Sequence, residues 1–267
     1  MTVPAQLRPR SATALLLVSA VGLVAFTWPL FADPGGGLAH SADAPWLFVA
    51  LLPLLLAVVL AEFGEGGMDA KAVALLGVLA AVGAGLRALS AGMAGIEPTF
   101  FLLVLAGRVL GRGFGFVLGA LTLFASGLLT AGVGPWLPFQ MLGAAWLGFF
   151  AGCLPPARGR RELALLAIYG LVSGLAYGVL LNLWFWPFAT FTQSAVSFVP
   201  GAPLADNLGR FFAFSLATSL AWDLTRGVTT AALVAVAGRP VLLALRRAAR
   251  RAAFGAVAEF RGGGAGA

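Results

Sequence analysis

Long, continuous apolar runs constrain this chain more than any other feature. The runs are about 20 residues long and carry few charges, which suits helices that cross hydrocarbon. Because hydrocarbon cannot hydrogen-bond the backbone, a spanning segment must be a helix or part of a closed barrel. Barrel strands would alternate apolar and polar residues over short segments, and these runs do not alternate. The sequence therefore predicts an all-α polytopic membrane protein.

Eight apolar spans are predicted along the 267 residues. The first extends beyond the core of a signal peptide, so we interpret it as a retained helix. The fourth is too short to cross alone unless residues 107–111 continue it, and the last is longer than a bilayer requires. The spans cover residues 12–32, 45–62, 72–92, 98–109, 114–131, 137–154, 163–184 and 207–237.

Basic residues alternate between successive connections. Arginine clusters, or Lys71, occupy every second connection, while residues 33–44, 93–97, 132–136 and 185–206 contain neither Lys nor Arg. Under the positive-inside rule, the connections without basic residues lie outside the membrane. This pattern predicts an even number of spans, with both termini in the cytoplasm.

Composition argues against several function classes. The net charge of +7 is carried by short clusters between apolar runs, which indicates a membrane surface rather than nucleic acid. His40 and Cys153 are the only residues of their types, so we expect no metal site and no intrachain disulfide. H-E-x-x-H, G-x-S-x-G and Walker motifs are also absent from the sequence. We therefore expect no enzyme activity and no cofactor, and ATP-driven transport would need separate subunits.

Ionisable residues inside spans are candidates for function, because each costs about 2.5–3.5 kcal/mol at a helix centre. Arg87 lies towards the outer end of the third span, and Asp223 and Arg226 lie near the middle of the last one. Asp223 and Arg226 are three residues apart, so they either neutralise one another or face a wet cavity together. Glu97 is placed to pair with Arg87 or to contact a solute at the outer rim.

Amides and aromatic residues gather near the predicted outer ends of the spans. Gln140 and Asn182 either supply directional hydrogen bonds to a solute or cap a helix. Tryptophans at this level are typical both of an aromatic belt and of a ligand pocket. The candidate substrate-binding residues are Arg87, Glu97, Trp136, Gln140, Asn182, Trp184, Trp186 and Asp223.

Two further patterns concern surfaces. Gly77, Ala81 and Gly85 recur every four residues on the third span, and such a stripe serves internal packing or contact with a partner membrane protein. After Pro240, arginines fall on one face of an amphipathic helix, which either lies on anionic lipid or forms a solvated basic tail. These arginines are Arg246, Arg247, Arg250 and Arg251.

The middle of the chain carries a family resemblance. Its most specific parts are AGRVLGRGFGFVLGA and GVGPWLPFQMLGAAW, both between Phe100 and Gly152, and AIYGLVSGLAYGVLLNLWFWPF follows. Residues 72–186 resemble the substrate-binding S components of energy-coupling factor (ECF) vitamin transporters. Among these, overall similarity favours the actinobacterial type predicted to take up cobalamin.

The resemblance implies a six-helix, substrate-binding membrane core over residues 67–238. Two extra transmembrane helices would precede it in residues 1–66, and a basic helix with a disordered tail would follow in residues 239–267. It also implies a vitamin pocket near the outer surface, a location in the bacterial plasma membrane, and partners comprising a transmembrane T component and two ATPases. In the family, small residues on the first core helix contact the T component, which here maps onto Gly77, Ala81 and Gly85. A membrane scaffold or assembly subunit without a ligand is the alternative.

Overall fold

The computed structural model describes residues 9–31, 53, 55, 70–189 and 195–251. Nearly all of the predicted span 45–62 and the tail after residue 251 lie outside the described residues. In the described part of the chain there are eight α-helices and no strand. They are α1 (Pro9–Thr27), α2 (Ala70–Leu89), α3 (Thr99–Leu110), α4 (Arg112–Leu129), α5 (Leu137–Cys153), α6 (Gly159–Phe185), α7 (Leu204–Thr218) and α8 (Leu220–Arg251), with 3-10 turns at Trp28–Phe31 and Trp186–Phe188.

The described helices include five that are long and apolar enough to cross a membrane. These are Ala12–Leu30, Ala70–Leu89, Arg112–Leu129, Gly159–Phe188 and Leu220–Arg251. Their lengths of 18 to 32 residues match or exceed what the hydrocarbon core of a bilayer requires. The prediction of an all-α polytopic membrane protein is thereby confirmed.

Helix α3 lies at the centre of the bundle. Ten of its 12 residues are buried, and it packs against α4, α5 and α8. It ends at Leu110 and is not extended, because Gly111 adopts φ 97° and ψ 167°, a conformation that essentially only glycine tolerates. Helix α4 begins immediately afterwards, so the short fourth span is a buried central helix.

Helices α4 and α5 make the most extensive contact of any described helix pair, and glycines make their close approach possible. A Cβ added at Gly115 would collide with the carbonyl oxygen of Gly148, and one added at Gly119 would collide with that of Ala144. Small residues of this kind let helix backbones touch in a lipid environment.

A second glycine seam joins α6 to α8. Gly170, Gly174 and Gly178 recur every four residues on α6, and an added Cβ at these positions would meet Thr230, Gly227 and Asp223 respectively. The missing side chain at Gly178 leaves the space that the buried carboxylate of Asp223 occupies. This seam positions the charged residues described below.

The predicted last span, 207–237, is two helices, which corrects the sequence analysis. Helix α7 ends at Thr218 and α8 begins at Leu220, so the break is confined to Ser219. The hydroxyl of Thr218 donates to the backbone carbonyl of Phe214, and that of Ser219 donates to the Asp223 carboxylate. Side-chain hydrogen bonds of this kind compete with regular helix geometry. Helix α8 then continues through exposed Pro240 to Arg251, so the arginine-rich segment is its last part rather than a separate helix.

Helix α1 packs against α5 and α6 rather than standing apart. The indole nitrogen of Trp146 donates a hydrogen bond to Ser19 Oγ (2.9 Å), and the ring of Phe26 packs edge-on against Phe139 with centroids 5.0 Å apart. The first predicted span therefore belongs to the helical bundle.

Candidate functional site

A cavity of about 280 Å³ opens at one end of the bundle. The end of α2, the start of α5, the start of α8 and the two connections at 90–98 and 130–136 surround it. We call it the Arg87 pocket, and it is lined by Arg87, Ser90, Ala91, Gly92, Gly95, Glu97, Thr130, Gly132, Trp136, Gln140 and Trp222.

Arg87 and Gln140 meet on one wall of this pocket. The Arg87 guanidinium donates through Nη2 to Gln140 Oε1 (3.2 Å) and through Nη1 to Ser126 Oγ (3.0 Å). Among the described residues no carboxylate lies within salt-bridge distance of Arg87. Its positive charge is therefore not neutralised by any carboxylate in the described part of the chain.

Glu97 also lines the pocket and pairs with Arg226, not with Arg87. Its carboxylate accepts a hydrogen bond from Arg226 Nε (3.1 Å). The same guanidinium donates through Nη1 to Asp223 Oδ1 (2.6 Å), so the predicted pairing of Asp223 and Arg226 is present. The Arg226 side chain is only 6% exposed and lies over the rings of Phe100 and Tyr177, 5.5 and 5.2 Å from their centroids.

Asn182 and Asp223 lie outside the lining of the Arg87 pocket but connect to it through hydrogen bonds. Asn182 Nδ2 donates to Ser219 Oγ (2.5 Å), and Ser219 Oγ donates to Asp223 Oδ2 (2.8 Å). Asp223 then reaches Glu97 through Arg226. A polar chain thus runs from α6 through the α7–α8 break to the pocket wall.

Trp184 and Trp186 are core residues and do not line the Arg87 pocket. Trp184 is 3% exposed and stacks on Phe139, with ring centroids 4.4 Å apart and planes 3° apart. Trp186 packs on Phe198 and Phe211, and its indole nitrogen donates to the carbonyl of Val196 (2.8 Å). The structure therefore brings together four of the eight predicted residues, namely Arg87, Glu97, Trp136 and Gln140.

Apart from Glu97, sequence reasoning missed the contribution of the connection at 90–98, and it also missed Trp222. Gly95 has φ +88°, and a Cβ there would collide with the carbonyl oxygen of Trp222, so this connection packs directly on α8. The sequence feature that could have indicated this contact is the segment SAGMAGIEP, which is rich in small residues and follows the helix that carries Arg87. Segments of this composition allow close backbone approach.

The stripe of small residues on α2 that is predicted to face a partner lies exposed on the surface of the described bundle. Gly77 and Ala81 are exposed and Gly85 is half-buried, and a Cβ added at either glycine would meet no atom within 4 Å. Val78 and Val82 beside them are 61% and 48% exposed. The stripe is therefore not used to pack the described helices together.

Comparison with known proteins identifies the family. Residues 71–238 match the family model described as "ECF transporter, substrate-specific component". The matched region runs from the start of α2 into α8 and contains all of the Arg87 pocket. No curated protein and no solved structure matched the chain. Since the match covers well over half of the residues, the chain belongs to the substrate-specific (S) component family of ECF transporters.

Proposed function

We propose that this S component captures a vitamin or cofactor precursor in the Arg87 pocket, for ATP-driven uptake by its partner subunits. Family membership implies a transporter subunit that works with a T component, ATPase modules and a small-molecule substrate. The observation that carries the assignment of the site is the convergence of Arg87, Glu97, Trp136 and Gln140, which come from separate elements.

The side chains of the pocket favour a solute with both polar and flat apolar parts. Arg87 forms no salt bridge with any described residue, and its guanidinium has the fixed donor geometry that suits a carboxylate, phosphate or carbonyl group. Trp136 and Trp222 offer aromatic faces, and both are partly exposed at the cavity. Gln140 and Glu97 add hydrogen-bonding oxygens that discriminate among polar substituents.

Cobalamin is the most specific form of this proposal, and it is supported by sequence resemblance alone. The cavity volume of about 280 Å³ lies at the lower end of the range for ligand pockets. A corrin is much larger than such a cavity, so its binding would require the connections at 90–98 and 130–136 to move apart. A smaller precursor would fit with less rearrangement.

The orientation that we propose places the Arg87 pocket outside the cell. The connections that border it carry no Lys or Arg, whereas the opposite end of the bundle is rich in arginine. Both termini would then be cytoplasmic, in a bacterial plasma membrane. ATP hydrolysis by the partners would reorient the protein and release the solute inside.

Mass spectrometry of small molecules that co-purify with the full-length protein tests this proposal. The expected result is a vitamin or cofactor precursor at near-equimolar occupancy, recovered from the wild-type protein and depleted in Arg87→Gln. Arg112→Gln removes an exposed arginine at the other end and serves as the matched control. If nothing co-purifies and no vitamin added from a panel binds, the alternative of a membrane scaffold without a ligand is favoured.

A further inference from the structure

A second and larger cavity, of about 1160 Å³, lies at the end of the bundle opposite the Arg87 pocket. It is formed by the end of α3 with Gly111, the end of α5, the connection at 154–158, the start of α6 and the last turns of α8. We call it the arginine cavity. Its charged lining residues are Arg108, Arg158, Arg161, Glu162, Arg246 and Arg250.

One buried carboxylate organises part of this lining. The Glu162 side chain is 3% exposed and accepts hydrogen bonds from Arg108 Nε (3.0 Å) and from Arg246 Nη2 (2.7 Å). Arg108 also donates through Nη1 to the carbonyl of Leu154 (2.8 Å), which fixes its guanidinium at the wall. Glu162 thus ties α3, α6 and α8 together and holds two arginines in place.

The other three arginines have no partner within the described residues. Arg158, Arg161 and Arg250 are exposed and make neither a salt bridge nor a side-chain hydrogen bond there. Among the residues that the structure describes, one carboxylate therefore faces five guanidinium groups around this cavity. Mutual repulsion among the unpaired groups favours an anion that enters between them.

We infer that the arginine cavity binds a phosphate group, carried either by the headgroup of an anionic phospholipid or by a soluble phosphorylated molecule. Guanidinium groups match phosphate oxygens in paired, parallel hydrogen bonds, which ammonium groups do not. A basic recess at the end of transmembrane helices lies at the level where anionic headgroups concentrate. The preformed wall of Arg108 and Arg246 lowers the ordering required when the phosphate arrives.

The test uses the full-length protein in neutral detergent and three probes: phosphatidylglycerol, phosphatidylcholine and inorganic phosphate. Native mass spectrometry measures lipid retention, and calorimetry measures phosphate binding. The double variant Arg158→Gln/Arg161→Gln removes two unpaired arginines from the cavity. The double variant Arg112→Gln/Arg160→Gln removes two exposed arginines outside its lining and is matched in charge. Arg250→Gln provides an independent single change on α8.

The wild type is expected to prefer phosphatidylglycerol to phosphatidylcholine, and the cavity variants to lose about fivefold or more in affinity per arginine. The control double variant should retain wild-type binding. Binding of inorganic phosphate with the same variant pattern, but without preference between the lipids, would identify a soluble source. Equal losses in cavity and control variants, or no binding of either anionic probe by the wild type, would overturn the inference. It would also be overturned if the cavity variants kept phosphate binding but no longer co-purified with the partner subunits.

Discussion

At the residue scale, the feature that is energetically most costly to bury is the cluster of charged residues beside the Arg87 pocket. Arg226 lies between Glu97 and Asp223 and packs against two aromatic rings. A buried charge is tolerated when it is both paired and hydrogen-bonded, and this guanidinium satisfies both conditions. The cluster explains how an aspartate and an arginine can lie in an apolar helix, and it ties the connection before α3 to α8.

Arg226→Ala is expected to lower the free energy of unfolding by about 3–5 kcal/mol, because Glu97 and Asp223 would lose their shared partner. Thermal unfolding in detergent measures the change. Arg239→Ala removes an exposed arginine from the same helix and should leave the unfolding midpoint nearly unchanged. A variant at position 226 that is as stable as the control would show that the cluster contributes little.

Prediction of single contacts from the sequence was correct where two residues lie close together on the same helix. The three-residue separation of Asp223 and Arg226 predicted that both lie on one helix face, and the pairing that was one of its two interpretations is present. The pairing of Arg226 with Glu97 joins residues 129 positions apart, and local spacing contains no information on such contacts. The roles of Trp184 and Trp186 were equally hidden, because aromatic residues at a helix end suit a core, a membrane belt or a pocket.

At the scale of elements, the α4–α5 contact depends on the absence of side chains. Gly148→Ala places a Cβ against the carbonyl of Gly115, so the two helices must separate and the protein should lose stability. Gly209→Ala on α7 is the matched control, since its Cβ would meet nothing. That substitution should be neutral or stabilising by about 0.5–1 kcal/mol. Thermal unfolding measures the midpoints of both variants, and equal midpoints would contradict the close packing of α4 and α5.

The open stripe on α2 carries a separate prediction about assembly. We propose that Gly77, Ala81 and Gly85 meet the T component, and Ala81→Leu should then abolish co-purification with the partner subunits by preventing close helix approach. Solute binding should persist, because the stripe lies outside the lining of the Arg87 pocket. Ala232→Leu changes an exposed alanine on α8 and is the control. Unchanged co-purification of the position 81 variant would count against this surface.

Element boundaries were predictable only where hydropathy changes. The starts and ends of α4 and α5 lie within two residues of the predicted spans, because polar or glycine-rich connections flank these apolar runs. The break at Ser219 was not predicted, since the apolar run continues across it. The glycine seam on α6 was also overlooked. Its four-residue spacing was visible in the sequence, but spacing alone does not distinguish a buried stripe from an exposed one such as that on α2.

At the scale of the whole molecule, the two ends of the bundle differ in charge. The Arg87 pocket lies among connections without basic residues, and the arginine cavity lies at the other end. Under the positive-inside rule, this difference in charge supports the orientation that we propose. In the sequence, the alternation of charge predicts which helix ends share a membrane level, and the structure shows which side chains lie together around each of the two cavities.

An impermeant thiol reagent applied to intact cells tests that orientation. In a Cys153→Ala background, His40→Cys and Ala195→Cys should each be labelled from outside, because both positions fall in connections without basic residues. The native Cys153 is exposed at the opposite end, and in the wild type it should be labelled only after lysis. If either introduced cysteine is labelled only after lysis, the proposed topology is contradicted.

The central claim is that the Arg87 pocket holds the transported solute, and calorimetry with the co-purified molecule tests it most directly. Gln140→Ala and Arg87→Gln each remove one hydrogen-bonding partner from the pocket wall, and a loss of this kind costs about 1–3 kcal/mol, or roughly 5–150-fold in affinity. We predict such a loss for both variants and wild-type affinity for Arg112→Gln, with all proteins folded. If both pocket variants bind the solute as tightly as the wild type, the solute site lies elsewhere in the protein.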